Sequence, residues 1–132
     1  MSLDDLRRNR MMGHLLDALE RGEDIGHYGR LVFAIVARHF VPPDDLVALL
    51  ALDPGTTEAD ARALVHQVNA HDYSPPRRET ILAWQRQQPF PICPDEIDPD
   101  AANVYRDLDF PGRVYEHIRE YHVHKAEAEE HG

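Results

Sequence analysis

The chain has 132 residues, a formal net charge of −10, and 42% hydrophobic residues. This composition is typical of one globular domain, and the charge disfavours a protein that attracts polyanions through its overall field. The longest apolar runs, 31–37 and 46–52, are far shorter than the roughly 20 residues of a membrane span. Because no signal-peptide pattern is visible and the lone cysteine, Cys93, excludes an internal disulfide, we predict a cytoplasmic protein.

The first predicted helix starts after Ser2 and stops at Gly22. Ser2 and Asp5 have the spacing of a capping box, in which the serine caps the helix and the acid reaches back. Gly22 is typical of the residue that follows a helix. The apolar positions of this helix repeat at i, i+3, i+4 and i+7, as one buried face requires: Met12, Leu15, Leu16 and Leu19.

A very apolar segment follows at 25–40, and its periodicity fits a buried strand or a buried helix equally well. The other apolar run, 46–52, is rich in Leu and Ala and would be a poor pairing strand. The segment also continues without a breaker to Phe40, which is long for a strand. We therefore predict a central helix that is buried all round.

Proline and capping residues delimit the next elements. Val41-Pro42-Pro43 ends the central helix, and the turn Asp53-Pro54-Gly55 ends the short helix after it. Thr57 and Asp60 form a second predicted capping box. The apolar faces of the two helices are Leu46, Val47, Leu49 and Leu50, then Ala61, Leu64, Val65 and Val68.

The C-terminal third is predicted as shorter elements. A loop at 71–76 leads into a helix opened by Pro75, and 89–99 is extended. A short helix then contains Val104, Tyr105 and Leu108, and Pro111 opens a last one. The fold class is all-α: a compact orthogonal bundle of six or seven short helices around the central helix. We expect one domain over 1–125 and an acidic flexible tail over 126–132.

The predicted core joins apolar side chains from most of these helices in one cluster. Its members are Phe33, Ile35, Val36, Leu50, Leu64, Val68, Ile81 and Ile118.

The start of the central helix is a candidate anion-binding site. His27 and Arg30 lie one turn apart, with Tyr28 between them, where backbone amides have no partner within the helix. Such a place suits an external carboxylate or phosphate. The alternative, which we favour, is an internal ion pair between Arg30 and Asp24.

A metal site is a second candidate, because His117, Glu120 and His124 fall on one face of the last helix. The same histidines share a stripe with Val114 and Tyr121, which favours plain packing instead. No nucleophile elbow or phosphate-binding glycine loop is present, and Cys93 is typical of a buried thiol. We predict neither catalysis nor a cofactor.

Four short motifs occur in the order known from one family. They are His27-Tyr28-Gly29-Arg30-Leu31, the acidic-apolar segment 44–50, Tyr73-Ser74-Pro75, and Cys93-Pro94. Over about residues 26–94 the chain resembles the C-terminal domain of the archaeal and eukaryotic primase large subunit. The resemblance implies a helical scaffold, with His27 and Arg30 in a region that contributes to template and primer binding. That family binds a four-iron, four-sulfur cluster through four cysteines, whereas this chain has one, so we expect no cluster.

Two classes of partner remain open from the sequence, and the oligomeric state is undetermined. The first is a protein, bound by a helical interaction module through an exposed patch of Phe90, Tyr105, Phe110 and Tyr115. The second is a nucleic acid, bound through its phosphates and by stacking on Tyr73 or Trp84. The basic residues of the second hypothesis are His27, Arg30, Arg77 and Arg78. We favour the protein partner because of the negative net charge.

Overall fold

The computed structural model describes residues 3–94, 102–112 and 114–115. This part of the chain contains seven helices and no strand, so the predicted all-α fold is confirmed. The helices are α1 (Leu3–Leu6), α2 (Arg10–Glu20), α3 (Gly26–Ala37), α4 (Pro43–Leu50), α5 (Glu58–Ala70), α6 (Arg78–Gln85) and α7 (Val104–Asp107).

The predicted first helix is in fact two helices, α1 and α2, separated at residues 7–9. Asn9 causes the break. Its extended backbone places the Oδ1 atom where it accepts a hydrogen bond from the amide of Met12 at 3.0 Å, as an N-cap does. The Nδ2 atom of this fully buried residue donates a hydrogen bond to Asp107 at 3.0 Å. A residue far along the chain therefore helps to hold Asn9 in its capping position.

Gly22 ends α2 as the sequence predicts. Its φ of +72° is left-handed, which glycine adopts without a steric penalty. The amide of Gly22 donates to Leu19 at 3.0 Å, and the amide of Glu23 donates to Ala18 at 2.9 Å. These two bonds form a Schellman motif, which satisfies carbonyl groups of the last turn.

The central segment is a helix, not a strand, and α3 packs against α2, α4, α5 and α6. Its side chains from Val32 to Ala37 are all buried, as predicted for the hub of the fold. The first half is not buried all round, because His27 is exposed and Leu31 is half-buried. The helix ends at Ala37 rather than Phe40. The amides of His39 and Phe40 bond three residues back, to Val36 and Ala37, which tightens the chain into a turn.

Two helix starts are as predicted and one is not. Pro43 begins α4, and the hydroxyl of Thr57 accepts a hydrogen bond from the amide of Asp60 at 3.1 Å at the start of α5. Pro75 was expected to open the next helix, but α6 begins at Arg78. Pro75 is instead buried in the preceding loop, where its carbonyl accepts a hydrogen bond from the hydroxyl of Tyr105.

Six of the predicted core residues are buried, as expected: Phe33, Ile35, Val36, Leu50, Val68 and Ile81. Leu64 is half-buried against this cluster. Ile118, His117, Glu120, His124 and the predicted tail over 126–132 lie outside the described residues, and the predictions for them stay predictions. Among the residues described, no helix combines the length and apolar character needed to cross a membrane.

Candidate functional site

The start of α3 is closed by the side chain of Gln88. Gly26 has a φ of +79°, and a Cβ atom added there would lie 2.5 Å from Oε1 of Gln88. Gln88 uses this space to accept a hydrogen bond from the amide of Tyr28 at 3.0 Å. Its Nε2 atom donates to the carbonyls of Ile25 and Phe90 at 2.9 and 3.0 Å. The close approach that the glycine permits therefore serves an internal side chain.

Two further amides at this helix start also have internal acceptors. The amide of Gly26 donates to Oδ1 of Asp24 at 2.8 Å, and the amide of Ile25 donates to Oδ2 of Asp53 at 3.0 Å. Carboxylates complement the positive end of a helix, so this arrangement is electrostatically favourable. Three amides at this helix start, those of Ile25, Gly26 and Tyr28, are thus occupied by side chains of the protein itself.

Arg30 is held between two acids. Its Nη1 atom lies 3.2 Å from Asp24 and 3.1 Å from the fully buried Asp53. The ion pair predicted between Arg30 and Asp24 is confirmed, whereas sequence reasoning missed Asp53. Asp53 accepts a further bond from the amide of Gly55 at 2.6 Å, and a Cβ on Gly55 would approach Arg30 to 2.9 Å. Its position in a predicted turn gave no sign of this burial.

The other site residues predicted around the helix start are placed less centrally. His27 is exposed, and its ring meets Tyr28 edge to face with centroids 5.3 Å apart. Tyr28 is half-buried and stacks on Trp84 at 5.5 Å. Tyr28 therefore packs against the fold, and its hydroxyl donates a hydrogen bond to Gln87 at 3.2 Å, whereas His27 stays at the surface.

Tyr73 lies at the opposite end of α3 from His27 and Arg30. Its carbonyl accepts a hydrogen bond from Nη2 of Arg38 at 2.7 Å, and Arg38 is the C-cap residue of α3. A separation of 11 residues along a helix corresponds to about 16 Å. His27, Tyr28 and Arg30 consequently lie at one end of α3 and Tyr73 at the other, so these residues do not form one basic cleft.

Arg38 is a buried charged residue that the sequence analysis did not single out. Its side chain is 5% exposed, and Nη2 pairs with Asp72 at 2.7 Å. Asp72 has a left-handed φ of +48° and ends the turn after α5. Nε of Arg38 is buried without a hydrogen-bond partner among the described residues. These contacts hold the loop between α5 and α6 against the end of α3, which is a structural role.

Arg77 and Arg78 lie at the start of α6 and are both half-buried. Arg77 is the N-cap residue, and Arg78 lies 3.3 Å from Glu79.

The predicted exposed aromatic patch is wrong for three of its four members. Phe110 is buried, and its ring meets those of Phe40 and Tyr105 at 5.7 and 5.6 Å. Tyr105 is partly buried, and burial raises its pKa to about 12. Phe90 is partly buried and stacks on His14 at 5.2 Å. Tyr115 is exposed, but its hydroxyl accepts a hydrogen bond from the amide of Phe110 at 3.1 Å. Most of these aromatic side chains therefore pack against other rings and are not available to a partner.

The exposed apolar surface lies on α4 instead. Leu46, Val47 and Leu50 face the core, but a second stripe follows at i, i+3, i+4 and i+7 and lines a shallow groove of about 340 Å³. Leu52, just after the helix, is 48% exposed. The complete lining of the groove is Leu3, Val41, Asp45, Ala48, Leu49 and Leu52. The excess of apolar residues on α4 over one buried face was the sequence signal for this groove.

A smaller cavity of about 120 Å³ lies beside Phe40 and Leu108, with Asp5, Arg8 and Asp109 at its edge. Arg8 is mostly exposed, and its guanidinium lies 3.8 Å from the carboxylate of Asp5. Within the described residues no three His, Cys, Asp or Glu side chains are grouped as a metal ion would require.

Comparison with known proteins produced no match among family models, curated proteins or solved structures. The resemblance to the primase domain therefore stays a prediction, and the site has to be interpreted from its own chemistry.

Proposed function

We propose that this protein is a helical interaction module that binds an apolar segment of a partner protein in the groove on α4. The observation that carries the proposal is the apolar lining of the groove by Ala48 and Leu49 of α4 and by the 48% exposed Leu52 just after the helix. An apolar groove left open to water has a free-energy cost that a complementary partner removes. The groove is carried by α4, which packs on α2, α3 and α5.

The nucleic-acid alternative receives less support from the geometry. Phosphate binding draws its affinity from basic side chains that are free to approach the backbone. Arg30 and Arg38 are instead paired with Asp24, Asp53 and Asp72. A net charge of −10 adds a repulsive field.

Site-specific photo-crosslinking in the cells that make the protein tests the proposal. A photoreactive amino acid replaces Leu52 in one variant and the exposed Ala63 of α5 in a matched control. We expect a discrete protein adduct from position 52 and none from position 63. An Ala48→Trp substitution in the first variant fills the groove and should abolish the adduct, because Ala48 lines the groove and is exposed.

Two results would contradict the proposal. One is the absence of any adduct at position 52. The other is an adduct that forms equally at both positions or survives Ala48→Trp, because contact at the groove would then not be specific. The melting temperature of each variant is compared with that of the unmodified protein, so that loss of the fold is not mistaken for loss of binding.

A further inference from the structure

The groove on α4 is bordered by carboxylates. Asp45 forms part of its lining, is exposed, and makes no ion pair with any other described residue. Asp44 precedes it and is 89% exposed, with Arg62 at 3.3 Å. Asp4, which follows the lining residue Leu3 in the chain, is also exposed. An apolar floor with an acidic border is complementary to a ligand that is apolar on one face and basic beside it.

The shape of the stripe suits a helix. Asp45 and Leu52, the first and last residues of the stripe, are seven positions apart, which corresponds to about 10 Å or two helical turns. Ala48 is the smallest side chain of the set and lies in the middle, where it permits close approach of another backbone. Side chains at i, i+3 and i+4 of an approaching helix fit between such rows. Two turns of an amphipathic helix therefore match the groove in length and in pattern.

We propose that the occupant of the groove is an amphipathic helix of another protein, with apolar residues at i and i+3 or i+4 and a Lys or Arg that meets Asp45. This inference rests on the proposed function and adds the chemical class of the partner. The apolar residues bury Leu49 and Leu52. The cation neutralises a carboxylate that the described part of the fold leaves unpaired, and this selects basic helices over acidic ones.

The charges argue against the two simplest other occupants. In a symmetric dimer through this groove, Asp45 of each copy would face the acidic border of the other, and each chain has a net charge of −10. The acidic border also repels the anionic surface of a membrane. A separate basic helix satisfies both the apolar floor and the border.

Synthetic helices test this partner class directly. The probe is a 14-residue helical peptide with a leucine stripe at i, i+3, i+4 and i+7 and lysines beside it, and its matched control carries glutamates in place of the lysines. Isothermal titration calorimetry with the full chain measures affinity, and backbone amide NMR shifts locate the peptide. We expect the basic peptide to bind at 45–52 and Asp45→Lys to weaken it about fivefold or more, with the acidic peptide showing the reverse preference.

Ala48→Trp should abolish binding of the basic peptide, whereas Ala63→Trp, at an exposed position on α5, should leave it unchanged. Equal affinity for the two peptides, or no effect of Asp45→Lys, overturns the basic-helix inference. The crosslinking experiment shows separately whether the groove binds a protein at all. Absence of binding by the basic peptide also overturns the inference. Analytical ultracentrifugation tests for a dimer. A dimer that Ala48→Trp dissociates would show that a second copy of the chain occupies the groove, and this result would overturn the basic-helix inference.

Discussion

Individual polar residues decide where the segments of this fold meet. Asn9, Arg30, Arg38 and Gln88 each bond to a residue at least 23 positions away in the chain. On burial, these side chains exchange hydrogen bonds to water for hydrogen bonds within the protein. A buried polar group that loses its partner therefore lowers the stability of the fold. Their contribution is visible when one partner is removed.

Arg30→Ala should destabilise the protein by roughly 3–5 kcal/mol, because it leaves Asp53 as a buried carboxylate without its cation. Arg62→Ala is the matched control. Arg62 is 58% exposed and pairs with two exposed acids, so its loss should cost less than about 1 kcal/mol. Urea denaturation measures both. An Arg30→Ala variant as stable as Arg62→Ala would contradict the structural role of Arg30.

Asp107 gives the stability a dependence on pH. The hydrogen bond from Arg106 lowers the pKa of this carboxyl, with a further contribution from Asn9. A lowered pKa means that the ionised form stabilises the fold above the unfolded value of 3.8, and that this stabilisation is lost as pH falls through the folded value. Asp107→Asn should therefore cost about 1 kcal/mol at pH 7 and less at pH 3.

The comparison for Asp107 is Asp109→Asn, which changes an exposed carboxylate that lies outside the helices and has no ion-pair partner in the described ranges. Its free energy of unfolding should equal that of the wild type at both pH values. A cost of Asp107→Asn that stays constant between pH 7 and pH 3 would show that the charge of Asp107 is not involved.

At the scale of elements, α3 and α4 use their apolar residues differently. The seven buried residues of α3 include every position from Val32 to Ala37, whereas α4 buries Leu46, Val47 and Leu50 and leaves a second stripe outside. The first pattern makes a hub, and the second makes both a core contact and an exposed groove. The N-terminus of the hub is fixed by Gly26 and Gln88.

Gly26→Ala should destabilise the protein more than Gly22→Ala does. Both glycines have a left-handed φ, +79° and +72°, so both substitutions carry the same backbone strain of about 1 kcal/mol. At Gly22 nothing lies within 4 Å of the new Cβ, but at Gly26 it meets the amide group of Gln88 at 2.5 Å. Displacing that group disrupts three hydrogen bonds, at about 1 kcal/mol each.

Thermal or chemical unfolding measures the difference in stability between Gly26→Ala and Gly22→Ala. Because both variants carry the same backbone strain, this difference is the contribution of the contacts of Gln88. Equal destabilisation of the two variants would mean that Gln88 moves aside without loss. A Gln88→Ala variant, expected to be destabilised by a similar amount, checks the same contacts from the other partner.

At the scale of the molecule, the described residues form a helical scaffold around α3, and α4 carries an apolar groove with acidic residues beside it. The resemblance to the primase domain bears on this scale, because in that family a cluster ties together distant cysteines. Here Cys93 is buried and is the one cysteine of the chain. In this chain a hydrophobic core joins the segments.

The purified protein should therefore carry no iron–sulfur cluster, since a four-iron, four-sulfur cluster is normally held by four thiolates and one chain supplies one. Visible absorption spectra and iron and sulfide analysis of anaerobically purified protein check this. Cluster absorption with stoichiometric iron and sulfide would contradict the expectation and would require a cluster shared between chains.

The sequence by itself determined the helical class and most helix positions. Local signals suffice for these: the capping box at Thr57, the left-handed Gly22, Pro43 at the start of α4, and the unbroken apolar segment that became α3. The ion pair of Arg30 with Asp24 was also predictable, because the two residues are six positions apart at one helix start. Each of these features depends on neighbours within about two helical turns.

Only the tertiary structure decided which surfaces stay exposed and which buried groups pair. Asn9 breaks the first helix because Asp107 is its partner, and Pro75 stays in a loop that Tyr105 contacts. The aromatic side chains expected at the surface pack together around Phe110, while leucine and alanine on α4 line the groove. A sequence pattern identifies an apolar face, but whether another element covers that face depends on contacts between residues far apart in the chain, and these form only in the folded molecule.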